Sequence, residues 1–141
     1  MNQLNGQCLC GACKITMTPA SNEMHICYCD MCRAWTGVGM MAIQAAGDSI
    51  TVEGPVKTRT TSEWAERAWC DDCGSALYYH VTAEGPYHDN YHVASGLFPN
   101  AGGTKLVGEL FTDKRPSGYA FAGDLKGMTE AEVMATFGGE P

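Results

Sequence analysis

At 141 residues the chain has the size of one ordinary domain, large enough to bury roughly two thirds of the surface its unfolded form exposes. Apolar residues make up 45% and charged residues 18%, which excludes a chain disordered by composition. Nine Lys and Arg against sixteen Asp and Glu give a net charge of −7, the opposite of a basic phosphate-binding footprint, so neither nucleic acid nor an anionic membrane is an expected partner. No apolar run is long enough to span a bilayer, and Met1–Asn5 lacks a basic start leading into an apolar stretch. A single soluble, cytoplasmic domain over 1–141 is the expectation.

Short segments of β-branched or alternating character follow one another between Gly, Pro, Asn and Asp punctuation. In chain order they predict strands at 14–17, 40–44, 49–53, 56–60, 76–81, 91–94 and 106–112, with a short helical turn after Cys32. Seventeen glycines and six prolines supply turns, and 18–22 and 99–104 read as loops. The C-terminal stretch reads as a helix over about 129–137. Thr129 and Glu132 have capping-box spacing, Val133, Met134 and Phe137 form an apolar face, and Gly138-Gly139 stop it. This helix is expected to cover part of the sheet, with its apolar residues in the core.

All eight cysteines lie in the first 73 residues: Cys8, Cys10, Cys13, Cys27, Cys29, Cys32, Cys70 and Cys73. They read C-x-C-x-x-C twice and then C-x-x-C-G. Clusters this close, without a secretion signal, suit metal better than disulfides. With zinc–sulfur bonds near 2.3 Å, two ligand sulfurs must sit roughly 3.8 Å apart on one side of a tight turn. Gly11 and Gly74 stand where such turns need backbone freedom. Eight sulfurs make either two closed sites, or one closed site of four and one open site of three with one cysteine left over. Spacing alone leaves that choice open, because Cys10/Cys13, Cys29/Cys32 and Cys70/Cys73 all have knuckle spacing.

Three stretches then carry a family resemblance: Gly6-Gln7-Cys8-Leu9-Cys10-Gly11-Ala12; Cys27-Tyr28-Cys29-Asp30-Met31-Cys32-Arg33 with Thr36-Gly37; and Glu66-Arg67 leading into Cys70-Asp71-Asp72-Cys73-Gly74-Ser75-Ala76-Leu77-Tyr78. Weaker echoes follow at Val93-Ala94-Ser95-Gly96-Leu97 and Asp113-Lys114. In this ordered combination, over about 6–116, the chain resembles the glutathione-dependent formaldehyde-activating enzyme family, which shares its domain with centromere protein V. The resemblance implies a mostly β, Mss4-like, zinc-stapled β-sheet fold with two zincs per chain. It assigns Cys8, Cys10, Cys70 and Cys73 to a closed structural zinc. It assigns Cys27, Cys29 and Cys32 to a catalytic zinc with an open position, leaving Cys13 spare. Tyr28 stands where the family commonly has His, and Trp35 where it often has a small residue.

Three thiolates leave a zinc centre with a net charge of about −1, a poor generator of hydroxide but one at which an incoming thiol still loses its proton. The chemistry implied is addition of the glutathione sulfur to formaldehyde, giving S-hydroxymethylglutathione, or the reverse: a carbon–sulfur lyase with glutathione as co-substrate. Arg33, Arg67 and Lys114 are the candidate grips for the glutathione carboxylates, with Arg33 best placed by sequence. The partners are then a small-molecule thiol and an aldehyde, and a homo-oligomer is compatible with the sequence.

Other readings stand beside this one. The same fold type serves as a non-enzymatic zinc-binding protein-interaction module, and clustered thiols also serve redox or metal-buffering roles. Cys13 or His25 would close the second site if it were purely structural. Tyr78, Tyr79 and Tyr91 read as core or sheet-face residues, and His80, His88 and His92 as solvated or locally bonded. Trp35 either packs or lines a pocket.

Overall fold

The computed structural model describes residues 1–138, and strands account for most of its regular structure. A hairpin of β1 (Leu4–Gln7) and β2 (Lys14–Met17) opens the chain, followed by the long β3 (Pro19–Cys27), helix α1 (Asp30–Thr36) and β4 (Met40–Ala45). Then come β5 (Thr51–Glu53), β6 (Val56–Thr60), β7 (Ala65–Cys70), β8 (Ala76–Val81), β9 (Tyr91–Ala94), β10 (Lys105–Leu110), β11 (Lys126–Met128) and helix α2 (Glu130–Phe137).

The strands form two sheets. One has the order β1-β2-β5, and the other has eight strands in the order β11-β10-β3-β4-β9-β8-β7-β6. Strand β10 runs parallel to both β3 and β11, and every other pairing is antiparallel. The mostly β class and the short C-terminal helix are as expected. Thr129 caps α2 through a reciprocal box with Glu132, and Gly138 ends the helix in the left-handed conformation. Gly139, expected to help stop it, lies outside the described residues, as do the last two positions of the 1–141 span.

Strands β1, β3, β7 and β11 lie outside the segments predicted as strands, and for two of them the physical reason is clear. The stretch 18–22, expected as a loop, lies largely inside β3. Its register shifts between Pro19, opposite Ala45, and Met24, opposite Ile43. Five steps on one strand therefore oppose two on the other, so Ala20–Glu23 bulge out to solvent and keep loop-like composition within a strand. Strand β7 was not foreseen because Glu66 and Arg67 break its apolar pattern, yet it lies between β6 and β8 with Ala65, Arg67, Ala68 and Cys70 buried.

The core divides in two. Ile15, Met17, Ile43, Leu77, Tyr78, Val93 and Phe98 pack with Cys8, Cys13 and Cys70, while Ile26, Tyr28, Met40, Ala42, Phe111 and Val133 pack with Cys29 and Cys32. Strand β4 sits between them: Ile43 and Ala45 face the first cluster, and Met40 and Ala42 the second. This is the period-2 alternation of a strand buried on both faces.

Candidate metal centres and the adjoining cavity

Cys8 and Cys10 project from the β1–β2 turn, Cys70 ends β7, and Cys73 lies in the turn leading to β8. Their four sulfurs all lie within 4.8 Å of one another. The Cys8–Cys10 and Cys10–Cys70 separations are 3.6 and 3.8 Å, close to the edge of a zinc–thiolate tetrahedron, about 3.8 Å. Local backbone geometry produces this. The amides of Gly11 and Gly74 donate to the carbonyls of Cys8 and Cys70 at 3.1 and 2.8 Å, and both glycines hold positive φ, 77° and 79°. Ser75 joins the two turns: its hydroxyl oxygen accepts from the Leu9 amide at 3.0 Å and lies 3.2 Å from Cys73 Sγ. Hydrogen bonds from Ser75 pull the Cys73 thiol down to about 5, favouring the thiolate that metal requires.

Cys27 ends β3, Cys29 caps α1, and Cys32 lies in its first turn. Their sulfurs also lie within 4.8 Å of one another, and neither Cys13 nor His25 belongs to that group. The Cys32 amide donates to Cys29 Sγ at 3.4 Å. Hydrogen bonds from Cys27 and Cys32 hold Cys29 well below the ordinary thiol range, while Cys27 is pushed up by its hydrogen bond with Cys29. The donor set fits a zinc ion at both groups: clustered, unbridged thiols, each set close enough together to share one ion. Cys13 is fully buried, its amide donating to Cys8 Sγ at 3.2 Å, and its sulfur is in neither group.

Around the three-thiol group the structure places the candidate cations differently from one another. Arg67, on β7, is 3% exposed. Its Nη2 donates to Cys32 Sγ at 3.5 Å, and Nη1 donates to Thr61 Oγ1 at 2.6 Å. Its guanidinium carbon lies over the Trp35 and the Tyr79 rings, 5.5 and 5.0 Å from their centroids. Arg33 donates through Nε to the Tyr28 carbonyl at 2.9 Å and pairs with Asp30. Lys114 reaches the same Asp30 at 3.1 Å and Glu130 at 3.5 Å. Arg33 and Lys114 thus converge on the residue that follows Cys29, and the Lys114 hydrogen bond holds the Asp30 carboxyl below its usual range.

Tyr28 points inward. Its hydroxyl donates to Glu109 Oε1 at 2.6 Å, and that oxygen is also 3.3 Å from Arg115 Nη1. Burial and the Glu109 charge both raise the phenol pKa, so it stays a donor.

Beside Cys27 and Cys32 opens a cavity of about 260 Å³ on one face of the larger sheet. Gln44, His92, Tyr79 and Arg67 occupy one cross-strand row. Of these, Gln44, His92 and Tyr79 line the cavity, with His25, Met40, Ala42 and Val81 from the same set of strands. Phe137 of α2 contributes a wall, packed against Tyr87 and Trp64 at centroid distances of 5.0 and 5.9 Å. The C-terminal helix therefore covers the sheet, as expected, but Phe137 and Val133 also border the site. Burial, with His25 nearby, lowers the His92 pKa to about 4, so its imidazole is neutral at pH 7. His80, by contrast, is locally bonded: it lies 2.9 Å from both Glu66 and Asp89 and is stacked on Tyr91 at 4.1 Å.

Sequence reasoning missed Tyr79, His92, Gln44 and Trp64 as site residues. The available signal was the alternation Tyr79/Val81 and Met40/Ala42/Gln44, which marks one face of each strand without saying what that face meets.

Comparison with known proteins gives consistent results. The family model described as glutathione-dependent formaldehyde-activating enzyme matches residues 3–114. An uncharacterized lyase of Schizosaccharomyces pombe is 29% identical over 136 residues, 95% of this chain and 96% of its own. A Halomonas elongata protein with the name "Putative glutathione-dependent formaldehyde-activating enzyme" is 34% identical over 85 residues, 53% of this chain and 54% of its own. Among the described residues no helix is long and apolar enough to cross a membrane.

Proposed function

Because the chain belongs to the glutathione-dependent formaldehyde-activating enzyme family, we propose that it joins the glutathione sulfur to formaldehyde, or cleaves the adduct, at the Cys27/Cys29/Cys32 cluster. The observation that carries this reading is a contrast between the two thiol groups. One gathers four sulfurs, a complete structural set, while the other gathers three beside a cavity. Zinc held by Cys27, Cys29 and Cys32 would lower the pKa of a thiol that approaches it.

The chain's own residues do the rest. Arg67 sets a buried positive charge against Cys32 and fixes its orientation. The Tyr28–Glu109–Arg115 contacts anchor the segment between Cys27 and Cys29. Arg33 and Lys114 gather at Asp30 on the cluster's helix and, unlike the buried Arg67, are partly exposed, and so are the cations suited to orient the tripeptide carboxylates. The reaction forms one carbon–sulfur bond, and the thiol proton ends on the former carbonyl oxygen, so it needs no oxidant or reductant. A single domain over 1–141 holding two zincs, one in each group, completes the proposal.

Elemental analysis before and after dialysis against glutathione, with a rate assay of Cys29→Ser, tests it. Two zincs per chain, one perturbed by glutathione, and a Cys29→Ser rate at the uncatalysed background are expected. An unchanged Cys29→Ser rate would sink the assignment. Two zincs indifferent to glutathione would favour a protein-interaction module.

A further inference from the structure

Formaldehyde brings only two heavy atoms, and glutathione carries charges at both ends; neither accounts for the cavity beside Cys27 and Cys32. Its volume, about 260 Å³, is just short of the ~300 Å³ at which pockets begin to hold drug-sized ligands. Among the described residues no Lys, Arg, Asp or Glu lines it; Met40, Trp64, Val81, Tyr87, Phe111 and Phe137 make a mostly apolar wall, with His25, Gln44, Asn90 and His92 as its uncharged polar members. A charged tripeptide end inside it would be desolvated with no opposite charge among the described lining residues. An uncharged apolar group loses nothing there and gains roughly fourfold in binding per buried methylene.

One polar atom of the wall is left without a partner. The Tyr79 hydroxyl is buried and has no hydrogen-bond partner among the described residues, although Tyr79 lines the cavity and its ring lies against Arg67. A buried donor left unmade is costly, and a ligand oxygen would satisfy it.

We propose that the cavity receives the apolar side chain of an aldehyde larger than formaldehyde, of about six carbons, with the carbonyl oxygen accepting from the Tyr79 hydroxyl. This rests on the thiol–aldehyde reading of the cluster and adds the substrate class. The thiol sulfur bonds to the carbonyl carbon, the C=O π pair moves to oxygen beside Tyr79, and that oxygen takes the proton the thiol gave up. Tyr79 donates a hydrogen bond to developing charge and is not consumed.

The test compares glutathione addition to formaldehyde, propanal and hexanal, each corrected for its uncatalysed rate, and follows binding of hexanol, which cannot react, by saturation-transfer NMR. kcat/KM is expected to rise at least tenfold from propanal to hexanal. Tyr79→Phe is expected to lose at least tenfold for both while hexanol still binds. Ala42→Leu, which fills the cavity, should erase the chain-length preference and the hexanol signal. A flat chain-length profile with formaldehyde still turned over would overturn this inference and leave the proposed reaction standing. No catalysis with any aldehyde would overturn both. A Tyr79→Phe rate equal to the parent would remove the hydroxyl from the proposal. Should Ala42→Leu fail to fold, hexanol binding to the unaltered protein still decides whether the cavity accepts an apolar chain.

Discussion

The Arg67 guanidinium donates to the Cys32 sulfur at 3.5 Å, with both residues 3% exposed. A buried guanidinium is tolerable only beside negative charge, and a buried thiolate gains the same relief in return. Truncation by Arg67→Ala is expected to weaken zinc binding at the three-thiol group by about 10- to 100-fold, as loss of a partner behind a ligand commonly does, and to cost about 3 kcal/mol of stability. Arg67→Lys keeps the charge but loses the planar fork that also reaches Thr61, so its effect should be intermediate. Competition with a chromogenic chelator and urea unfolding measure the two effects, and unchanged affinity in both variants would contradict the role.

The two thiol groups should part company under a chelator. With three ligands and a cavity at its side, Cys27/Cys29/Cys32 is expected to release zinc first, with little change in the unfolding transition. Loss from Cys8/Cys10/Cys70/Cys73 comes later and should lower Tm sharply, because that group ties the β1–β2 turn to β7 sixty residues on. Zinc release and circular dichroism followed together along a chelator titration would show two separate steps. One concerted step would contradict the distinction.

Cys13 is fully buried yet outside both sulfur groups. Cys13→Ala is expected to leave the zinc content of both unchanged and to cost about 1 kcal/mol, the scale of losing a small buried group. A missing zinc would make Cys13 a ligand.

The 2.6 Å bond from Tyr28 to Glu109 leaves a clear signature. Tyr28→Phe removes the donor while Glu109 stays buried with Arg115 alone, an expected loss of about 1–2 kcal/mol. Differential scanning calorimetry should show Tm down by several degrees at unchanged zinc content.

Stability should also fall on mild acidification through His92. Its pKa, about 4 in the folded chain, lies below the ordinary ~6.5 of an unfolded chain, so the unfolded state binds more protons between these values. Its contribution is complete above about pH 6.5 and is lost progressively as pH falls toward 4, up to about 3 kcal/mol. His92→Gln should therefore lose less stability than the parent between pH 7 and 5. Parallel pH profiles of urea midpoint for the two proteins would refute this.

Much of the fold was legible because its signals are local. Strands β2, β4, β6, β8 and β9 fall where short alternating runs predict them, since period-2 patterning is a property of consecutive residues. The capping box of α2 was equally visible. Strand β3 was obscured by a four-residue bulge whose exposed residues have turn composition, and β7 by an arginine whose burial makes sense only once Cys32, Trp35 and Tyr79 surround it.

The sequence by itself determined the thiols and their turns. C-x-C and C-x-x-C bring sulfurs together across one or two residues, and Gly11 and Gly74 supply the left-handed backbone such turns need. Tertiary structure alone decided how the knuckles group, because Cys10 meets Cys70 only through the folded arrangement that brings the first turn to the end of β7. It also decided the cavity. Gln44, His92 and Tyr79 come from three strands, and each looks like an ordinary sheet-face residue in its own segment. They become one surface only through cross-strand register, which aligns residues far apart in the chain and depends on every pairing between them.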